Sequence, residues 1–383
     1  MLGLLLARAG VSVLVLEKHA DFLRDFRGDT IHPSTLDVLA DLGLLEACLA
    51  LPHQELRRLR AQFGDETVTV ADFGHLPTRC RFIALMPQWD FLDLVARSGA
   101  RFPGFALRMR AEVTGMRMEG DRVTGVHVMT PDGPLEVEAA LTVAADGRGS
   151  VLRGAAGLPL REIGAPMDVL WFRVSRRPED PEAPLARFEV GDILVMLNRG
   201  EHWQCGYVIP KGALEDTRRR GLEALRGRLG AVAPFLGPRV NEIRSWDDVK
   251  LLTVRVDRLE RWHRAGLLCI GDAAHAMSPL GGVGINLAIQ DAVAAANVVA
   301  GPLRDGRLGE TDLARVQRRR QWPTRVTQAL QVFLQRRLIT RALGGRGGPM
   351  RAPLAFRIIG RCPLLQRLPA RIVGLGIRPE RPR

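Results

Sequence analysis

The chain has 383 residues, 46% hydrophobic, 25% charged and 5% aromatic, a balance that builds a core and excludes bulk disorder. No run reaches the roughly 18 uncharged apolar residues of a spanning helix, and MLGLLLARAG lacks the cleavage pattern of a signal peptide. The net charge of +13 sits late: Arg315 to Arg383 holds 17 arginines against one acid, Glu380, so the preceding body is slightly acidic and a nucleic-acid role is set aside.

Residues 1–9 read as an apolar helical stretch ended by Gly10. Val11–Leu16 (VSVLVL) is a continuous apolar run, the pattern of a buried parallel strand, and it stops at Glu17. Helical patterns cover Ser34–Leu49 and Trp89–Ser98, with alternating segments such as Thr67–Ala71 between them. Residues 112–144 read as strands with turns at Gly120–Asp121 and Pro131–Gly133, closing into a buried strand. From Asp168 the segments DVLWFRV, RFEV, DILVML and WQCGYVIP predict an inserted antiparallel sheet, followed by a charged helix over Leu214–Leu229. The strand-like VKLLTVRV leads to Gly266–Ile270, a buried parallel strand, then to a glycine-rich loop and an alanine-rich helix reaching about Ala300. Beyond Asp312 the chain is helical and basic, with a break at Gly344–Gly348. The five cysteines (Cys48, Cys80, Cys205, Cys269, Cys362) form no CxxC pair, which argues against a disulfide framework or a metal site and for a reducing cytoplasm.

The passage Gly266–Ala300 (GLLCIGDAAHAMSPLGGVGINLAIQDAVAAANVVA) carries the strongest chemistry. A buried strand delivers Asp272 to its carboxyl end, where open α/β sheets place ligands and a carboxylate can accept from a sugar or polyol hydroxyl. Pro279, Gly281, Gly282 and Gly284 then open a helix at about Ile285. Glycines allow a flat ligand near the backbone, and the first helical amides stay unpaired and partly positive. A reduced flavin, negative around N1 and the C2 carbonyl, suits such a helix start. His275 in this loop is an acid/base candidate or a hydrogen-bonding strut. In VAADGRGSVLR, Asp146 and Gly147 follow a strand, and Asp146 could cap the next helix, bind cofactor hydroxyls, or both. Glu17, in VSVLVLEKH, stands where an acid holds the adenosine ribose of a dinucleotide.

These passages, in this order, resemble the class A flavoprotein monooxygenases, the para-hydroxybenzoate-hydroxylase-like family, over most of residues 1–330. The resemblance implies an α/β fold: an FAD-binding Rossmann-like domain of the glutathione-reductase type, an inserted mainly antiparallel β-sheet substrate domain and a helical C-terminus. The implied division is 1–165 and 261–325 for the FAD-binding domain, 166–260 for the substrate sheet and 326–383 for the basic helical segment. By this likeness Gly271–Asp272 holds the ribityl and pyrophosphate region, and Pro279, Gly281, Gly282, Val283, Gly284, Ile285 and Asn286 lie along the isoalloxazine. Asp146–Gly147 contributes to FAD and NAD(P)H use. Glu17 and Lys18 lie at the ribose end, Arg27 reaches the pyrophosphate, Gln88 the ribityl chain, and Val113 lies near the adenine. One departure stands out: the family's first strand and GxGxxG loop are absent, and the ~20-residue spacing back from Glu17 places them before Met1. The expectation is an N-terminally truncated flavoprotein or a start assigned too far downstream.

The implied reaction is NAD(P)H-driven reduction of FAD, addition of oxygen to the reduced flavin to form a C4a-hydroperoxide, and transfer of the distal oxygen to an electron-rich substrate, with no catalytic side chain required. Reductase, halogenase or dehydrogenase chemistry on the same scaffold is the alternative, as is a truncated non-catalytic remnant. Trp171, Phe188, Met196, Trp203, Tyr207 and Lys250 are the candidate substrate residues. With Tyr207 the only tyrosine, a pocket of several tyrosines is excluded and a bulky aromatic or quinone-like substrate is expected. The arginine-flanked segments Val332–Ile339 and Leu354–Ile359 suit either an amphipathic helix on anionic lipid or a packing helix of a monomer or homodimer.

Overall fold

The computed structural model describes residues 1–23, 30–181, 186–344 and 350–383. Arg27, and most of the expected break at 344–348, lie outside the described residues.

The N-terminal apolar stretch forms the helix Leu2–Arg8, which packs on the helices Gln88–Gly99 and Gly284–Arg304. It leads to the strand Val13–Leu16, paired in parallel with Phe105–Arg108. The expected helix over Ser34–Leu49 is broken in two, Pro33–Asp41 and Leu45–Leu49, because Gly43 turns the chain at φ +70°. The meander is present as Glu112–Glu119, Arg122–Thr130 and Gly133–Glu138. It closes into Thr142–Ala144, which pairs in parallel with Leu267–Cys269. The two parallel pairs are separate sheets, so among the described residues Val13–Leu16 and Thr142–Ala144 each carry a strand on one side only. Leu14, in a run expected to be fully buried, is 41% exposed.

A seven-stranded sheet forms the second layer, in the order Lys250–Leu252, Met167–Ser175, His202–Pro210, Asp192–Asn198, Ala186–Glu189, Arg58–Phe63 and Glu66–Asp72. It is antiparallel except where Ala186–Glu189 meets Arg58–Phe63. The sheet therefore draws two strands from the first 165 residues as well as from the expected insertion at 166–260. Only Lys250–Leu252 of VKLLTVRV is strand, and the expected 214–229 helix breaks at Gly221, φ +89°, into Leu214–Arg219 and Leu222–Val232.

Cross-strand register assigns the faces. Leu170 pairs with Tyr207 and Tyr207 with Leu194, while Phe172 pairs with Cys205 and Cys205 with Met196. These side chains share one face, which packs on Leu225, Leu229 and Val232 of the Leu222–Val232 helix. The opposite face carries Val169, Trp171, Val208, Phe188 and Ile193 and packs on Leu338, Ile339, Ala342 and Met350. Val332–Ile339 thus ends in core, not on the surface.

The Gly284–Arg304 helix runs through the centre of the largest core cluster. Leu280–Arg304 has the length and hydropathy of a membrane span, against the expectation that none occurs, but the apolar window is 67% buried inside the fold. Its alanines explain this: small side chains let neighbouring helices approach closely on every side.

Candidate functional site at the strand ends

Two short strands, Thr142–Ala144 and Leu267–Cys269, run side by side and release two turns at their carboxyl ends. In the first, Asp146 Oδ2 accepts from the amide of Val151 at 2.9 Å, and Ser150 caps the Val151–Ala155 helix by accepting from Arg153 N at 3.0 Å. The helix-capping role of Asp146 is realised in this geometry. In the second, Gly271 sits at φ +58° and Asp272 projects with a third of its side chain exposed. Arg148 binds the two turns together: its Nη2 lies 3.2 Å from Asp272 Oδ2 and its Nη1 donates to the Thr253 carbonyl at 3.2 Å. Arg153 fastens the same pair from below, donating to the carbonyls of Arg148 at 2.7 Å and Ala273 at 3.4 Å beside Asp257 at 3.5 Å. Burial pushes the Asp257 carboxyl up, partly offset by the Ala276 amide and Arg153.

The glycine loop is fixed from three directions. Thr30 Oγ1 donates to the Gly282 carbonyl at 3.0 Å, and a Cβ on Gly282 would come within 2.6 Å of that oxygen. His32, fully buried, faces the Gly282 carbonyl with Nε2 at 3.0 Å and the Val373 carbonyl with Nδ1 at 2.8 Å. Ser34 and Thr35 donate to Asn286 Oδ1 at 2.7 and 2.9 Å, which locks the first turn of the Gly284–Arg304 helix. Asn286 Nδ2 is buried without a protein partner, near Gly376. The amides of Gly284, Ile285 and Asn286 begin the helix and have no intrahelical acceptor, while Pro279, Gly281, Gly282, Gly284 and Ile285 are half-exposed. Val283 is buried.

Behind the site lies a buried ion network that sequence reading missed. Asp291, fully buried, accepts from Gly271 N at 3.1 Å, meets His275 Nε2 at 2.5 Å and Arg320 Nε at 2.9 Å. Arg320 continues to the Arg378 carbonyl at 2.9 Å and lies 3.8 Å from Glu380, which Arg319 grips bidentately at 2.6 and 2.7 Å. Burial pushes the Asp291 carboxyl up, but His275 and Arg320 together outweigh it and hold it below the usual carboxylate range. His275, 1% exposed and packed on the Trp262 ring at 4.9 Å, is a strut and not a solvent-facing acid or base. The readable signal was Asp291 itself, a lone acid in an alanine-rich helix.

Glu17 is tied to the segment that leads to Val113: the Ala111 amide donates to the Glu17 carbonyl at 2.9 Å. The Glu17 carboxylate accepts from His19 N at 2.9 Å, and Lys18 is exposed. Gln88 opens its helix three residues after Ile83–Leu85, the strand that pairs with Thr30–Ile31 beside the glycine loop.

The substrate candidates divide. Trp171 and Lys250 are cross-strand partners, and the Trp171 ring covers Gly206, where a Cβ would meet it at 3.2 Å. Phe188 is core, stacked on Phe63 at 4.8 Å. Met196, Trp203 and Tyr207 face the other way, into the core under the Leu222–Val232 helix. Tyr207 Oη donates to Asp192, which Arg228 Nε also holds at 2.7 Å, and Trp203 Nε1 donates to Asp180 at 2.8 Å. Both faces of this sheet are covered, so apolar character does not mark a ligand side.

A family model described as an FAD binding domain matches residues 1–329. The chain belongs to this family of class A FAD-dependent monooxygenases. A 6-methylpretetramide 4-monooxygenase of Streptomyces rimosus is 32% identical over 97% of this chain and 88% of its own length. A dialkyldecalin synthase of Streptomyces rugosporus is 27% identical over 76% of the chain, which spans 61% of that relative. Among solved structures, p-nitrophenol 4-monooxygenase PnpA of Pseudomonas putida DLL-E4 superposes with a TM-score of 0.79 at 20% identity, covering 98% of this chain and 95% of that one, which shows the shared fold.

The residues present fit the FAD this family carries. Bare amides at a helix N-terminus suit an electron-rich ring edge or a phosphate. Beside them, a part-exposed carboxylate and an arginine at adjacent strand ends supply an acceptor for polyol hydroxyls and a cation for phosphate.

Proposed function

We propose that this flavoprotein uses FAD and NAD(P)H to hydroxylate a bulky, polycyclic aromatic substrate of polyketide type. One observation carries the reading. The Gly271–Asp272 turn, the Arg148 bridge and the half-exposed helix start at Gly284 and Ile285 occur in a chain that aligns along 97% of its length with a 6-methylpretetramide 4-monooxygenase.

FAD, when bound, supplies electron transfer and oxygen activation. The chain's own residues hold and shield it. Asp272 would accept from a polyol hydroxyl, and Arg148 would face phosphate charge. Glu17 would meet the ribose and Val113 the adenine, with Asp146 and Gly147 shaping the adjoining turn. The amides of Gly284, Ile285 and Asn286, backed by the dipole of a 21-residue helix, stabilise negative charge without reorganising. Pro279, Gly281 and Gly282 leave a flat approach to the loop, and Gln88 would hold the ribityl chain. Trp171 offers an aromatic wall beside Lys250, whose ammonium suits a phenolate or enolate oxygen. No side chain is required to transfer a proton at the reacting carbon.

The test is turnover of FAD-loaded protein with NADH or NADPH under ¹⁸O₂ on a tetracyclic phenol. The expected result is one labelled oxygen in the product, coupled to nicotinamide oxidation. Reduction of the substrate without label, or nicotinamide loss that yields only hydrogen peroxide, refutes the proposal.

A further inference from the structure

The helices Leu354–Arg361 and Pro363–Gly374, joined at Cys362, are held on the edge of the seven-stranded sheet by their small residues. A Cβ on Gly360 would lie 2.6 Å from Val68 Cγ1, and one on Gly374 would lie 2.7 Å from Leu76 Cδ1. Arg357 pairs with Glu66 at 3.1 Å, and Gln366 clamps the helices together by donating to the carbonyls of Ile359 and Gly360. With their inner sides so fixed, the helices turn an aliphatic surface to solvent: Leu354 is 70% exposed, Leu364 65%, Leu368 64%, Ile358 49% and Leu365 44%. Spacings of four residues place Leu354 with Ile358, and Leu364 with Leu368, on single stripes.

The charge within this segment has one sign. No acid occurs between residues 350 and 379, and Arg351, Arg361, Arg367 and Arg371 are exposed, with no ion-pair partner among the described residues. A second copy meeting this face about a two-fold axis would bring arginine against arginine, which disfavours self-association. The exposed apolar residues of this face are all aliphatic, without the tryptophan and tyrosine anchors that mark protein interfaces. Leucines flanked by long cationic side chains, whose stems lie along apolar surface while their heads reach phosphate, match the interface of a lipid leaflet. We infer that the outer face of Leu354–Gly374 docks the protein on an anionic lipid surface.

Co-sedimentation of the full chain, loaded with FAD, tests this. Vesicles of phosphatidylcholine with 30% phosphatidylglycerol are compared with pure phosphatidylcholine at low and high salt. The expectation is at least tenfold stronger partitioning to the anionic vesicles, lost at high salt. Leu364→Glu/Leu368→Glu should reduce binding tenfold or more, and Arg361→Gln/Arg367→Gln/Arg371→Gln should remove the lipid-charge dependence. Both variants alter exposed side chains and should keep the wild-type melting temperature. Equal pelleting with both vesicle types overturns the inference. So does a dimer in solution that Leu364→Glu/Leu368→Glu converts to monomer, which would assign the face to a second copy. Binding to an acidic polypeptide such as polyglutamate, with none to anionic vesicles, also overturns it.

Discussion

Replacing Asp291 by Asn isolates the work of the buried network. The carboxylate serves three donors, Gly271 N and His275 Nε2 on Oδ2 and Arg320 Nε on Oδ1. An amide of the same shape offers one acceptor oxygen and one donor group, so whichever way it lies a donor faces a donor. Arg320 then keeps a buried charge whose nearest remaining carboxylate, Glu380, is 3.8 Å away. Removing one member of a buried ion pair costs about 3–5 kcal/mol. For 383 residues the unfolding entropy near the transition is roughly 0.8 kcal/mol/K, so the expected fall in melting temperature is about 4–6 °C. Differential scanning calorimetry at neutral pH reads this directly. Because Gly271 N loses a charged acceptor, FAD affinity, followed by quenching of flavin fluorescence, should weaken as well. A melting shift within 1 °C of wild type, or undiminished FAD binding in a destabilised variant, would refute the claim that Asp291 pins the Gly271 turn.

Three further outcomes follow from the same geometry. The His32 imidazole has its pKa lowered chiefly by burial, against two carbonyl contacts that raise it. Its neutral form is therefore the folded one, and its stabilisation is complete above the unfolded value of about 6.5 and fades as pH falls. His32→Gln should flatten the stability profile between pH 7 and 5, and an unchanged slope would discount this. Tyr207→Phe should cost about 1–2 kcal/mol in urea denaturation through the lost bond to Asp192. It should leave KM for the aromatic substrate within twofold, whereas Trp171→Ala should raise KM at least fivefold; the reverse pattern would show the faces wrongly assigned. In the Val13–Leu16 strand, the 2.7 Å bond from Val13 N to the Gly104 carbonyl and the 2.9 Å bond from Glu17 N to Arg108 set the alternation. It turns the amides of Leu14 and Leu16 to the open edge. Those two should exchange hydrogen rapidly beside a slow Val15, and uniform protection would contradict an open edge.

The Gly266–Ala300 passage was legible because its logic is local: strand, acid, proline, glycines and helix follow one another within 35 residues. The sheet faces were not. His202–Pro210 has seven of its nine residues buried, so period-two alternation vanishes and the sequence WQCGYVIP does not say which side meets the ligand. The network was hidden for another reason. His275 and Asp291 are 16 residues apart, Asp291 and Arg320 are 29 apart, and Gln290 meets the Glu380 amide across 90. Such partners are chosen by the packed core, and no spacing rule announces them. Arg148, two residues past Asp146, was the readable one, since a cation at one strand end beside a carboxylate at the next is a local arrangement once the strands are paired.

Arg381 grips Asp41 at 2.5 and 2.6 Å and Asp37 at 2.8 Å, closing contacts between residues 344 and 340 positions apart. These acids are made long before their guanidinium partner, so the contact closes only after the intervening chain exists. Through it the Pro33–Asp41 helix, which braces Asn286 with Ser34 and Thr35, gains a tie to a distant part of the chain. A nascent chain stalled before Arg378 should therefore retain flavin less well than one that carries Arg381.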